Sequence, residues 1–150
     1  MSSAESAEHF HKDHQVFTVT DLKQFAYCPR IVFYTYCLPL LRPQTYKMRE
    51  SQRIHEREAA REVRRSLRPY RLDSGTRDFD VPVFAPLLGL RGRIDLVINT
   101  GKELVPVDYK LTRRKAGTHF RLQLAAYGLM LHEKEELLVR RGFVYSMIDK

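Results

Sequence analysis

The stretch GRIDLVINTGKELVPVDYKLT, residues 92–112, constrains this chain more than any other. It reads as two apolar strands joined by a TGKE turn, and each strand carries an aspartate in mid-run, Asp95 and Asp108. Side chains alternate along a strand, so Ile94, Leu96 and Ile98 are expected on one face and Arg91, Arg93, Asp95 and Val97 on the other. On the return strand Asp108 and Lys110 share a face, opposite Val105, Val107 and Tyr109. A Thr100–Glu103 loop sets Asp95 directly against Asp108, and a two-residue loop makes the pair diagonal. Either register brings the carboxylates within roughly 5–8 Å. Two like charges about 5 Å apart, at an effective dielectric of about 20, repel by roughly 3 kcal/mol. Something positive must offset that cost. Lys110 and Arg93 are candidates, and so is a divalent cation, because Mg²⁺ and Mn²⁺ take hard carboxylate oxygens. The alternative is a surface hairpin with an Asp/Lys/Arg ion-pair cluster.

Around this hairpin the chain of 150 residues is organised as one domain over residues 16–150. Residues 1–15 lack hydrophobic periodicity and read as a flexible tail in which His9, His11 and His14 cluster. Thr20 is the expected N-cap of a short helix over Asp21–Tyr27, and Pro29 breaks it or starts the next. The segment IVFYTYCLPLL suits strand or helix, with helix favoured. Gln44–Leu67 has no Gly or Pro and predicts a long helix. FDVPVFAP and RGFVYSMI add strands, and residues 118–134 predict a second amphipathic helix.

The long helix brings a third candidate ligand to the carboxylates. His55, Ala59 and Val63 recur at i, i+4 and i+8, which predicts that His55 faces the sheet, although a hydrogen-bonded core histidine fits the same spacing. His119, Gln123 and Tyr127 repeat the pattern on the second helix, where a phosphate backbone in a wet cleft is one candidate partner. Arg53, Arg57, Arg61, Arg64 and Arg68 form a stripe on the side of the helix turned away from His55.

Charge points the same way: 26 Lys and Arg against 18 Asp and Glu give a net +8, so nucleic acid is the first partner to consider. No apolar run is long enough to span a membrane, and the polar N-terminus predicts a cytoplasmic protein. Cys28 and Cys37 are too few for a disulfide framework.

A helix histidine, then GRIDLV, then VPVDYK, then QLAAY resembles the RecB-type branch of the PD-(D/E)XK nuclease superfamily. More narrowly, FTVTDLKQFAYCPRIVFY resembles the start of the CRISPR-associated exonucleases that form the fourth Cas protein family. The resemblance runs from about Phe17 to Tyr145. It implies a mixed α/β restriction-endonuclease-like core, a small mixed sheet with a central hairpin flanked by helices. By the same resemblance His55, Asp95, Asp108 and the carbonyl of Tyr109 are ligands of Mn²⁺ or Mg²⁺, and Lys110 is the catalytic lysine. Gln123 and Tyr127 would support the site and the DNA, and the spacing of His119 and the strand position of Arg93 make these two further candidates for the same support. The implied activity is metal-dependent trimming of single-stranded DNA ends or overhangs during spacer acquisition, with the Cas integrase complex as partner and no membrane or small-molecule substrate. The non-enzymatic alternative is a DNA-binding or docking adaptor of that integrase. The family also implies a [4Fe-4S] cluster, matched in its early CPR segment by Cys28. This chain has no cysteine after Cys37, so the ligand set is incomplete and a C-terminally shortened member is expected.

Overall fold

The computed structural model describes residues 16–38, 46–112, 116–135 and 137–148, with the backbone alone at 46–52. Its elements run β1 (Phe17–Thr18), α1 (Val19–Tyr27), α2 (Pro29–Cys37), α3 (Tyr46–Glu62) and a 3-10 turn at Arg68–Tyr70. β2 (Thr76–Ala85), β3 (Leu90–Asn99), β4 (Leu104–Lys110), α4 (Thr118–Lys134) and β5 (Phe143–Ser146) follow. The expected N-terminal tail with its three histidines lies outside the described residues.

The five strands form one mixed sheet with β3 at its centre. β2 covers one edge of β3 from Leu90 to Asn99, antiparallel. The other edge is shared: β1 pairs in parallel at Leu90 and Arg91, and β4 pairs antiparallel at Leu96–Asn99. Gly92 to Asp95 therefore have no strand partner on that side. The Thr100–Glu103 turn closes with Thr100 N–H donating to the Glu103 carbonyl, while Gly101 takes a φ of +79° that other residues resist. The turn fixes Leu96 opposite Val107, the register that the Thr100–Glu103 loop predicts, and the ladder ends there, one step short of Asp95 and Asp108.

Two apolar clusters sandwich the sheet. Val19 of α1 and Ala126, Tyr127, Met130 and Leu131 of α4 cover Val83, Ala85, Ile94 and Val97. On the opposite face, Leu67, Tyr70 and Leu72, with Ile54 of α3, cover Leu96, Ile98, Val105, Val107 and Tyr109. Ile94 and Leu96 thus pack into different clusters, contrary to the strict alternation expected for Ile94, Leu96 and Ile98. The break has a local cause. Asp80, opposite Asp95 on β2, has a φ of +54°, and that pair is missing from an otherwise regular ladder. Such a residue shifts the pleat by one step, so Phe79 follows Leu96 while Val81 follows Ile94.

Other expectations need correction. The N-cap of α1 is Thr18 rather than Thr20: its hydroxyl accepts from Asp21 N–H, and the Asp21 carboxylate accepts from Thr18 N–H in return. Helix α3 stops at Glu62 instead of reaching Leu67, and Val63 is exposed. Among the described side chains of α3 the buried ones are charged: Glu58 is 2% exposed and Glu62 is fully buried. α2 forms as favoured, with Pro29 in its first turn, where the missing N–H costs nothing. α4 has the predicted bounds.

Candidate active site

The unpaired edge of β3 is where the predicted residues converge. With no strand to pair with there, β3 uses its own side chain: Asp95 Oδ2 accepts from the Tyr109 N–H of β4 at 2.7 Å. Asp95 Oδ1 lies 3.4 Å from His55 Nδ1, which reaches in from α3 and stacks its ring edge-on to Tyr109. From the other layer, Tyr127 of α4 donates its hydroxyl hydrogen to the Arg93 carbonyl at 2.8 Å, and Gln123 Nε2 donates to the Tyr127 oxygen. Gly92 permits this approach, since a Cβ there would lie 2.9 Å from Tyr127 Cε1. Burial holds the Tyr127 hydroxyl protonated with a pKa pushed up to about 12, Asp108 and Asp95 adding to the shift and Gln123 opposing it. Tyr127 is therefore a fixed donor.

Asp108 is 3% exposed and pairs with Lys110 Nζ at 2.7 Å. Burial raises its carboxyl above the ordinary range, against the pull of Lys110; Asp95 raises it further and Lys23 lowers it. Lys110 Nζ also sits 5.2 Å from the Phe120 ring centroid.

Lys23 escaped the sequence reading. Burial depresses its pKa and Lys110 adds to the effect, while Asp108 and Asp95 act in the opposite sense, so the ammonium lies within electrostatic reach of all three. The signal was available: Lys23 follows the fully buried Val19 by four residues, one helical turn along the same face. Arg93 behaves differently from expectation. Its guanidinium turns to the exposed Asp80 and leaves the carboxylate pair to the lysines, so only its backbone carbonyl enters the site. His119 lies further out, its ring against Phe120 and Tyr27.

How α3 holds His55 in place is visible one and two turns along the helix. Glu58 pairs with Arg61 and Arg65, and Glu62 with Arg65 and with Arg77 of β2. Arg77 also donates to the Arg65 carbonyl, and Arg65 lies over the Tyr145 ring. These contacts bind the C-terminal half of the helix to the sheet, which fixes the histidine over Asp95. The remaining arginines of the expected stripe, Arg53, Arg57, Arg64 and Arg68, are exposed.

Two carboxylates and an imidazole on adjacent elements suit a divalent cation in donor type. As arranged, they hold a peptide N–H, each other and a lysine, and among the described residues no three His, Cys, Asp or Glu side chains stand close enough to bind a metal. The two cysteines of this chain do not by themselves make a four-thiolate set for an iron-sulfur cluster. Cys28 caps α2 and Cys37 ends it, nine residues apart, which separates them by about 13 Å at the helical rise of roughly 1.5 Å per residue. The chain has no third cysteine.

A mixed α/β core with an acid pair and a lysine at the mouth of its central hairpin is the architecture of a nuclease fold, and the comparisons agree. The family model of the PD-(D/E)XK nuclease superfamily matches residues 40–148. A CRISPR-associated exonuclease Cas4 of Aeropyrum pernix is 35% identical over 143 residues, covering 87% of this chain and 68% of that relative. A second, from Francisella tularensis subsp. novicida, is 30% identical over 112 residues, or 75% of this chain and 57% of the relative. The chain belongs to the PD-(D/E)XK nuclease superfamily and, within it, to the Cas4-like CRISPR-associated nucleases. It spans somewhat more than half the length of the Francisella protein.

Proposed function

We propose that this chain is a metal-dependent DNA exonuclease that trims single-stranded ends or overhangs, and that it works on DNA fragments before their integration, beside the Cas integrase. The observation that carries the reading is the pairing of a buried Asp108 with Lys110, beside an Asp95 that holds the next residue's N–H, at a gap in the sheet edge. A net charge of +8 suits a polyanionic substrate, and the relatives named above are described as CRISPR-associated exonucleases. A cytoplasmic location goes with this role; among the described residues no helix is long and apolar enough to cross a membrane.

In this reading Asp95, Asp108, His55 and the carbonyl of Tyr109 would hold Mn²⁺ or Mg²⁺. Such an ion, when bound, supplies an activated water and offsets charge on the phosphate. The chain's own groups do the rest. The Tyr109 N–H and His55 orient the Asp95 carboxylate. Lys110 presents its ammonium to the attacking water or to the oxyanion that forms on phosphorus. Lys23 adds a second positive charge for the phosphate, and Gln123 with Tyr127 keeps β3 in position through the Arg93 carbonyl.

The test is direct. Incubated with end-labelled single-stranded DNA, the purified chain is expected to shorten the strand with Mn²⁺ and to leave it intact in EDTA. Equal cleavage in both, or none in either, would contradict the proposal.

A further inference from the structure

An aromatic path leads from the catalytic lysine to the surface. Phe120 lies under Lys110 Nζ, the His119 ring leans on Phe120 with 51° between planes and 4.1 Å between centroids, and Tyr27 meets His119 edge-on at 5.3 Å. The path joins the end of β4, the first turn of α4 and the last residue of α1. Gly117, the N-cap of α4, makes room for the imidazole, because a Cβ there would come within 2.9 Å of His119 Cε1. Tyr27 is 67% exposed, so an apolar ring faces water beside a site full of lysines.

We infer that Tyr27, His119 and Phe120 form a base-stacking platform for the unpaired nucleotides that flank the phosphate being cut, an inference that rests on the nuclease reading above. Three features fit a single strand better than a protein partner or a duplex. The rings are contiguous with Lys110, so a base on them places its phosphate near the lysine. The flanking charge is positive, with Lys23 and Lys110 on the site side and the exposed Arg30 and Arg121 on the neighbouring helices. Stacking needs a free base face, which duplex DNA buries against its neighbours and a frayed or single-stranded end offers. The platform therefore selects unpaired ends without reading their sequence, because every base has a π-face.

The experiment uses the full chain and two readouts. Binding of labelled single strands is measured in EDTA, with intact DNA and with DNA carrying abasic residues at the end being trimmed, and cleavage is followed in parallel with Mn²⁺. The wild-type chain is expected to bind the abasic strand roughly tenfold more weakly. Tyr27→Ala should weaken binding of intact strands by a similar factor and become indifferent to the abasic sites, Tyr27→Phe should behave as wild type, and blunt duplex should bind all three alike. His119→Ala should repeat the pattern. Equal binding of intact and abasic strands by the wild type would overturn the platform. So would a Tyr27→Ala loss of the same size on both, which would assign the tyrosine to a protein contact or to the fold. Cleavage that survives without the abasic effect removes the platform alone. The abasic effect without Mn²⁺ cleavage removes the nuclease reading instead.

Discussion

Two acidic clusters lie at the sheet, one on the helix packed against it and one on its central hairpin, and they are neutralised in different ways. On α3, Glu58 and Glu62 face Arg61, Arg65 and Arg77, whose guanidinium forks contact both carboxylates. At the hairpin, Asp108 has one lysine at contact distance, and Asp95 has a histidine and a peptide N–H. Arginine is permanently charged and locks a carboxylate with several directed donors, whereas lysine is a compact charge on a flexible stem that can exchange one partner for another. The first cluster suits a fixed joint between helix and sheet. The second suits a site whose acids must release their partners to take others. Burial leaves its mark on the second cluster, where Asp108 ionises less readily than an ordinary carboxyl despite Lys110.

Breaking the arginine cluster should have the largest effect. Glu62→Ala leaves Arg65 and Arg77 without their common partner in a buried setting, and is expected to cost about 3–5 kcal/mol in urea unfolding. A loss under about 1 kcal/mol would mean that water reaches the arginines. Next comes the lysine of the second cluster. Lys110→Ala should slow cleavage at saturating DNA by about 10²–10³-fold, while the slope of log affinity against log salt falls by only about one. Normal turnover by this variant would remove Lys110 from the chemistry. Thr18→Ala breaks the capping box that starts α1, and should cost about 1 kcal/mol of stability. Because α1 carries Lys23, DNA binding is expected to weaken slightly with it; unchanged binding would leave Lys23 without a role there.

The smallest effect has the opposite sign. The folded-state pKa of Asp108 lies above the ordinary 3.8, so ionising it opposes folding at neutral pH. In metal-free buffer Asp108→Asn should therefore melt higher than wild type at pH 7. The advantage should shrink as pH falls through the raised pKa and vanish below the ordinary carboxyl value, where both side chains are neutral. A variant that melts lower at pH 7 would make Asp108 a structural ion-pair partner of Lys110.

How much of this was legible in the sequence follows from where the determining contacts lie. The hairpin, its register and the bounds of α4 were readable because a short turn and a helical period sustained over 17 residues are local signals. The place of His55 was readable from helical spacing, but the face it shares was not. Apolar periodicity pointed to Val63, whereas the buried positions are Glu58 and Glu62, and only their arginines, one of them on β2, make burial tolerable. The pleat break at Ile94–Leu96 is imposed by the backbone of Asp80 on the neighbouring strand, which alternation within β3 does not report. Arg93 looked available to the acids for the same reason, since nothing in its own strand announces Asp80 as its partner.

The contrast between the two clusters reduces to one measurement, the shift in melting temperature on adding Mn²⁺ to the wild type, Asp108→Asn and a destabilised Glu62→Gln, all at pH 7. A cation that binds only the folded chain stabilises it by about 2.7 kcal/mol at roughly a hundred times its dissociation constant, which moves the melting point by several degrees. The expected result is a rise of that size for the wild type and for Glu62→Gln, from a lower metal-free starting point in the latter, and none for Asp108→Asn. A rise of equal size in Asp108→Asn would show that the hairpin acids do not hold the cation, and would contradict the division of the two clusters into joint and site.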